Sequence, residues 1–324
     1  MNRREKMFAV LPTLLTLGNA ACGFGAITFA AKASAALGPA SAATETALDP
    51  ASKAAATSAL FAASCLIYLA MLFDAFDGSA ARWTKQTSEF GAQLDSLCDA
   101  ISFGAAPAFL MLQFSLSRDY SSRLLWLIAA LYVVCAVLRL ARFNVETDED
   151  DSHAYFSGLP SPAAAGTVAS FPIMVFGLKH FEDSEHDHLW QRFADWLDPL
   201  TVKILPLITF AVACLMVSRV RYVHLFNQLV RGRRSRQHLI QLVFALVVIF
   251  ILPQMSVPLL FCWFAFAAPL KALWNESVVR WWHRGRPQPV TAGASPVSPP
   301  KLEWSDGTPA ASSTPPDDDE TDDA

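Results

Sequence analysis

The chain has 324 residues, of which 53% are hydrophobic and 17% charged, where a soluble globular domain carries about a quarter charged residues. The composition therefore argues against a water-soluble fold, and a formal net charge of −4 argues against a nucleic-acid partner. Six cysteines stand singly in or beside apolar runs with no C-x-x-C pair, which argues against a disulfide framework or a zinc site.

In chain order, the N-terminus reads Met1-Asn2-Arg3-Arg4-Glu5-Lys6, followed by an apolar run over Phe8–Ala31. A secretory h-region has about 7–15 residues, so this longer run predicts a retained first span. A bilayer core of about 30 Å takes about 20 apolar helical residues. Further segments of this kind are Ala56–Phe73, Ala100–Phe114, Leu124–Leu140, Ser161–Leu178, Leu205–Val217, Leu239–Leu252 and Val257–Leu273. The prediction is an all-α polytopic membrane protein with about eight spans, six to eight being possible. Helices are expected because backbone groups in lipid must be satisfied within the segment.

Between spans, Ala33–Ala55 reads as a loose loop rich in Ala, Ser, Thr and Pro. Lys179–Asp198 carries Trp190, Phe193 and Trp196 at the spacing of an interfacial amphipathic helix. Lys and Arg set the orientation. They gather in alternate segments: Arg3, Arg4 and Lys6, then Arg82 and Lys85, Arg139 and Arg142, the basic stretch Arg219–Arg236, and Lys271 onward. Both ends are thereby predicted to be cytoplasmic. The expected division is a transmembrane catalytic domain over residues 1–285, its core at about 8–217, and a disordered acidic cytoplasmic tail over 286–324.

The stretch with chemical content joins the second and third spans. Asp74, Asp77, Gly78, Ala81 and Arg82 fall at i, i+3, i+4, i+7 and i+8, one face of a helix. Gly91, Asp95 and Asp99 fall at i, i+4 and i+8, again one face. Two antiparallel helices of this kind would bring four carboxylates together near the inner membrane surface. Four such groups repel one another and call for a cation. Hard oxygen donors suit Mg²⁺ or Mn²⁺, and two such ions would clamp a pyrophosphate. Arg82 is placed to meet a phosphate oxygen. The bland alternative is a solvated helix end, which does not explain four acids at matched spacing. Two further readings stay open: a polytopic transporter with an acidic ion path, and a noncatalytic scaffold.

This stretch resembles the signature of the CDP-alcohol phosphatidyltransferases, D-x2-D-G-x2-A-R-x8-G-x3-D-x3-D, at every fixed position. The resemblance implies that Asp74, Asp77 and Asp95 ligate two divalent metals, and that Asp99 completes the metal site and acts as general base. It implies a CDP pocket bounded by Asp74, Gly78, Ala81, Arg82 and Gly91, with Arg82 near the diphosphate. It also implies a homodimer in a bacterial inner membrane. The signature does not choose the acceptor alcohol. Leu11–Phe24, Leu94–Ala108, Leu140–Asn144 and Phe156–Gly166 are similar to the membrane-embedded phosphatidylserine synthases of bacteria. That similarity implies CDP-diacylglycerol and L-serine as substrates, with phosphatidylserine and CMP as products. Thr13 stands where the first helix of these proteins commonly has Asn.

Serine brings a carboxylate and an ammonium group, which Arg142 and Asn144 could recognise, with Arg139 one turn earlier. Positive-inside anchoring is the competing account of these arginines. Glycerol 3-phosphate is the alternative acceptor. Ser102–Pro107 is rich in small residues and is expected to permit close helix packing. Glu182–His188 reads as a polar loop, Arg231–Arg236 as a site for anionic headgroups or an orientation anchor, and Trp274, Trp281 and Trp282 as an interfacial belt.

Overall fold

The computed structural model describes residues 3–37, 49–84, 89–115, 120–146, 155–182, 188–218, 220–223 and 253–284. Helix α1 runs Arg3–Leu37, α2 Pro50–Thr84 and α3 Glu89–Asp99. A π turn, Ala100–Ala105, passes without a break into α4, Ala106–Ser115. Then follow α5 (Ser122–Glu146), β1 (Tyr155–Ser157), α6 (Ser161–Glu182), α7 (His188–Val217), β2 (Arg221–Val223) and α8 (Pro253–Arg284). Met1–Ser277 form one compact unit and Val278–Ala324 a second, of which only the last turns of α8 are described.

Among the described residues, six helical stretches are long and apolar enough to cross a membrane: Pro12–Leu37, Pro50–Ser79, Glu89–Ser115, Ser122–Val145, Ser161–Lys179 and Trp196–Val217. The chain is thus an integral membrane protein of nearly pure helix. The expected eighth span corresponds to a shorter apolar stretch of α8, Met255–Lys271. The expected seventh span, Leu239–Leu252, lies outside the described residues, as do Arg231–Arg236 and the tail over 286–324.

Three expectations need correcting. The loop placed at Ala33–Ala55 is helical at both its ends: α1 continues to Leu37, and α2 starts at Pro50 behind Asp49, while residues 38–48 lie outside the described residues. Asp49 takes the N-cap position, its carbonyl accepting from the N–H of Ser52 at 3.0 Å, and Pro50 follows where a missing N–H costs nothing. The short third span is instead a continuous helical stretch, Glu89–Ser115, because the acidic face and the apolar run belong to one rod. The amphipathic segment near Trp196 and the sixth span are likewise one helix, α7.

Small residues hold the bundle together. Ala26, Ala30 and Ala33 of α1 are buried, as are Ala56, Ala63 and Ala70 of α2. Those two helices pack along much of their length. Apolar burial gives little driving force between helices in lipid, so small residues that let backbones approach supply the packing. Helix α6 is the most enclosed, with Ala163–Ala165, Val168 and Ala169 buried. Leu14, Leu17 and Phe24 of α1, Leu69 and Leu72 of α2, and Trp126, Leu127, Val134 and Leu138 of α5 remain exposed. An apolar residue facing lipid needs no protein partner, which is why these helices are apolar on all sides.

A short antiparallel ribbon pairs β1 with β2, Phe156 opposite Tyr222. It ties the start of α6 to the end of α7. The N–H of Gly158 donates to Val220 O at 2.9 Å, and that of Leu159 to Leu215 O at 3.1 Å. Gly158 has φ +85°, and a Cβ there would press on the carbonyl oxygen of Met216. Only glycine adopts this backbone cheaply. Gly158→Ala is expected to destabilise the protein by about 1–3 kcal/mol, read as a lower melting temperature in detergent.

Candidate active site

The site is assembled from three helices. Asp74 and Asp77 sit near the end of α2, and Asp95 and Asp99 lie on one face of α3. The folding brings one carboxylate oxygen each from Asp74, Asp95 and Asp99 within 4.8 Å of one another. Two come from α3 at the i, i+4 spacing and one from α2, and the cluster closes because both helices pack against α1. Asp77 is not part of that trio. It is 6% exposed and lies within electrostatic reach of Asp95.

Helix α1 supplies residues that the sequence reading passed over. Thr16 Oγ1 donates to Asp77 Oδ2 at 3.0 Å, and Asn19 Nδ2 donates to Asp99 Oδ1 at 2.9 Å. Thr16 and Asn19 are i and i+3 on one face, so a single turn of α1 grips one acid from α2 and one from α3. Both were legible in principle. They are polar residues on an otherwise apolar span, and a polar side chain at membrane depth needs a partner.

The π turn presses against the same part of α1. Ser102 Oγ donates to the backbone carbonyl of Asn19 at 2.9 Å. A Cβ on Gly23 would lie 2.7 Å from Ser102 Cα, so the approach requires glycine. From the other side, the fully buried Tyr132 of α5 donates its hydroxyl to Phe103 O at 3.2 Å. The expectation that Ser102–Pro107 permits close packing therefore holds at Ser102.

Helix α5 closes a third side. Arg139 Nη1 donates to Ser161 Oγ at 2.6 Å, and its guanidinium lies 5.9 Å from the Phe143 ring centroid. The Arg139 charge is within electrostatic reach of Asp99 and Asp74. Ser161 opens α6 directly after the β ribbon, so the ribbon sets where this arginine is held. Asn144 and Ser96 form a reciprocal pair, with Nδ2 donating to Ser96 Oγ at 2.9 Å. Ser96 follows Asp95, which ties the α5 end to α3. Arg142 is half-buried on α5; Gly78 and Gly91 are half-buried on α2 and α3. Ala81 and Arg82 are helical residues of α2 whose side chains are not described.

The donor set suits a hard divalent cation. Oδ1 of Asp95 is buried without a hydrogen-bond partner among the described residues. An unpaired carboxylate oxygen is costly, by more than the about 1–3 kcal/mol of a neutral group, and a bound cation would remove that cost. Three carboxylates at this separation match the all-oxygen coordination of Mg²⁺ or Mn²⁺. A metal can thus be held by Asp74, Asp95 and Asp99.

The family model described as CDP-alcohol phosphatidyltransferase matches residues 9–198, more than half the chain and all of the site. The chain belongs to the CDP-alcohol phosphatidyltransferase family. Among curated relatives, a CDP-diacylglycerol–serine O-phosphatidyltransferase of Methanocaldococcus jannaschii is 42% identical over 33% of this chain and 48% of its own length. One of the same name from Helicobacter pylori is 36% identical over 45% of this chain and 61% of its own. An archaetidylserine synthase of Methanothermobacter thermautotrophicus is 36% identical over 54% of this chain and 63% of its own. The chain thus spans roughly half the length of the curated relatives it matches. As a family member it carries the acidic signature on two helices, α2 and α3, that both pack on α1, with α5 on a further side.

Proposed function

We propose that this protein transfers the phosphatidyl group of CDP-diacylglycerol to L-serine, giving phosphatidylserine and CMP. The observation that carries this reading is the convergence of Asp74, Asp95 and Asp99 within a membrane-spanning bundle of the family. The names of the three relatives support the acceptor, since two name CDP-diacylglycerol and one archaetidylserine, and all three name serine. The active site would face the cytoplasm of a bacterial inner membrane, with both termini on that side, as the basic segments suggest. A homodimer is the proposed assembly.

Asp74, Asp95 and Asp99 would hold one divalent ion, with Asp77 contributing to a second. Two such ions, Mg²⁺ or Mn²⁺, would supply charge neutralisation at the pyrophosphate when bound. Gly78, Ala81, Arg82 and Gly91 would bound the CDP pocket, with Arg82 near the diphosphate. Asp99 takes the proton of the serine hydroxyl as that oxygen attacks the lipid-side phosphorus. The bond from this phosphorus to the CMP oxygen breaks, and CMP leaves with the electron pair. Enclosure by α1 and α5 limits water, which would otherwise compete as acceptor.

Arg139 is the best-placed group for the serine carboxylate. Its hydrogen bond to Ser161 and its proximity to Asp99 put a fixed cation beside the base. Arg142 and Asn144 are proposed to complete the acceptor pocket. Arg139→Gln is expected to raise KM for serine at least about tenfold, with KM for CDP-diacylglycerol changed far less. Steady-state kinetics on the purified protein separate the two.

The deciding assay is CMP release from CDP-diacylglycerol with serine, glycerol 3-phosphate, inositol or choline, with and without metal. Release that needs serine and metal supports the full reading. Release with another alcohol keeps the transfer chemistry and removes Arg139, Arg142 and Asn144 as serine contacts. No release from folded protein with any acceptor would return the transporter or scaffold reading.

A further inference from the structure

Asn19 is fully buried, 0% exposed, in the middle of an apolar helix. Such a placement is unfavourable unless the amide is bound; its Nδ2 donates to Asp99 Oδ1, while its Oδ1 is buried without a partner among the described residues. Three further features position the turn of α1 that carries that amide. Ser102 of the π turn donates to the Asn19 backbone carbonyl, Gly23 allows the π turn to reach α1, and Asp99 is the residue immediately before the π turn. The partner hydrogen bond one turn earlier, Thr16 to Asp77, shows the same construction. Each of the two buried acids therefore has one oxygen tied to α1.

We infer that Asn19 is a positioning residue: its amide fixes one oxygen of Asp99 and leaves the other for the divalent ion and the acceptor proton. This rests on the proposed role of Asp99 as ligand and base. An amide is suited to the task because it donates a hydrogen bond without adding charge to an already crowded acidic cluster. A carboxylate at position 19 would repel Asp99, and a lysine or arginine would compete with the metal for it. Asn19 touches neither lipid nor acceptor in this account; it acts through Asp99.

Groups that orient metal ligands typically change metal affinity or activity by about 10- to 100-fold when removed. Asn19→Leu keeps the branched shape, with some added bulk, and deletes the hydrogen bond. It is expected to raise the Kd for Mn²⁺ about tenfold or more, measured by electron paramagnetic resonance on the full-length protein in detergent without substrates. Turnover is expected to fall about 10- to 100-fold, with KM for CDP-diacylglycerol within about twofold and the melting temperature little changed. A merely structural role would lower the melting temperature and leave the Mn²⁺ affinity of the folded fraction unaltered. Asn19→Ser, smaller and still polar, serves if Asn19→Leu does not fold, and the same loss of Mn²⁺ affinity is expected. Wild-type Mn²⁺ binding with equal affinity and turnover in the folded variant would overturn the inference while leaving the active-site reading intact. Absence of Mn²⁺ binding to the wild-type protein would overturn both.

Discussion

Replacing Asp99 with asparagine is expected to lower CMP release by about 10²- to 10⁴-fold, the usual contribution of a positioned general base. That corresponds to about 3–5.5 kcal/mol in the barrier. The substitution keeps the size of the side chain, so its packing beside the π turn should persist. It removes a proton acceptor and weakens a metal ligand, and the two effects can be separated. If loss of the base dominates, saturating Mn²⁺ will not restore turnover. If ligand loss dominates, high Mn²⁺ will recover much of it. An Asp99→Asn protein that is folded, metal-loaded and nearly fully active would sink the base assignment.

Removal of divalent cations is expected to have an effect of similar size. Stripping the purified protein with a chelator should reduce CMP release at least about 100-fold, and adding Mg²⁺ or Mn²⁺ should restore it. The reason lies in the cluster itself. Asp74, Asp95 and Asp99 have oxygens within 4.8 Å, and the Asp95 Oδ1 has no hydrogen-bond partner among the described residues. Among the described residues, Arg139 is within electrostatic reach of Asp99 and Asp74, and one positive charge is too little to offset the acids for a pyrophosphate substrate to approach them. Asp95→Asn should therefore shift the metal concentration needed for half-maximal turnover upward by about 10- to 100-fold. Full activity after rigorous chelation, verified by elemental analysis, would rule out the metal reading.

Much of this arrangement was legible in the residues. The spacing of Asp74 and Asp77, then Asp95 and Asp99, specified which faces of two helices carry acids, because helical periodicity is a local property. The convergence of three of those acids followed from packing both helices against α1. Asp77 behaved differently, since a hydroxyl from a third helix holds it. Thr16 and Asn19 were missed because their meaning is nonlocal: nothing near them in the chain indicates acids on α2 and α3. Ser161 and Ser96 were missed for the same reason, as each gains significance only through Arg139 or Asn144 on α5. Loop boundaries were placed too generously at Ala33–Ala55, where alanine-rich sequence is as compatible with helix as with coil. The third span was cut short because polarity at Glu89–Asp99 hid that the helix read there from its acidic spacing runs on unbroken into the apolar stretch.

The π turn carries a consequence for how the third span can change over time. A turn of this kind holds one residue more than an α turn, and one residue is worth about 100° of rotation in a helix. Upstream of Ala100 the rod presents Asp95 and Asp99; downstream it presents Leu110 and Met111 to the apolar interior. The extra residue is what keeps the two halves in their present phase. Drawing Ala100–Ala105 into a regular α turn at unchanged length would rotate one half against the other by about 100° and set catalytic face and packing face in conflict, so that either the acids or the apolar side chains must point the wrong way. Loss of one residue together with that straightening would leave the two faces in phase, so the extra residue serves the turn's own contact, that of Ser102 with the Asn19 backbone carbonyl.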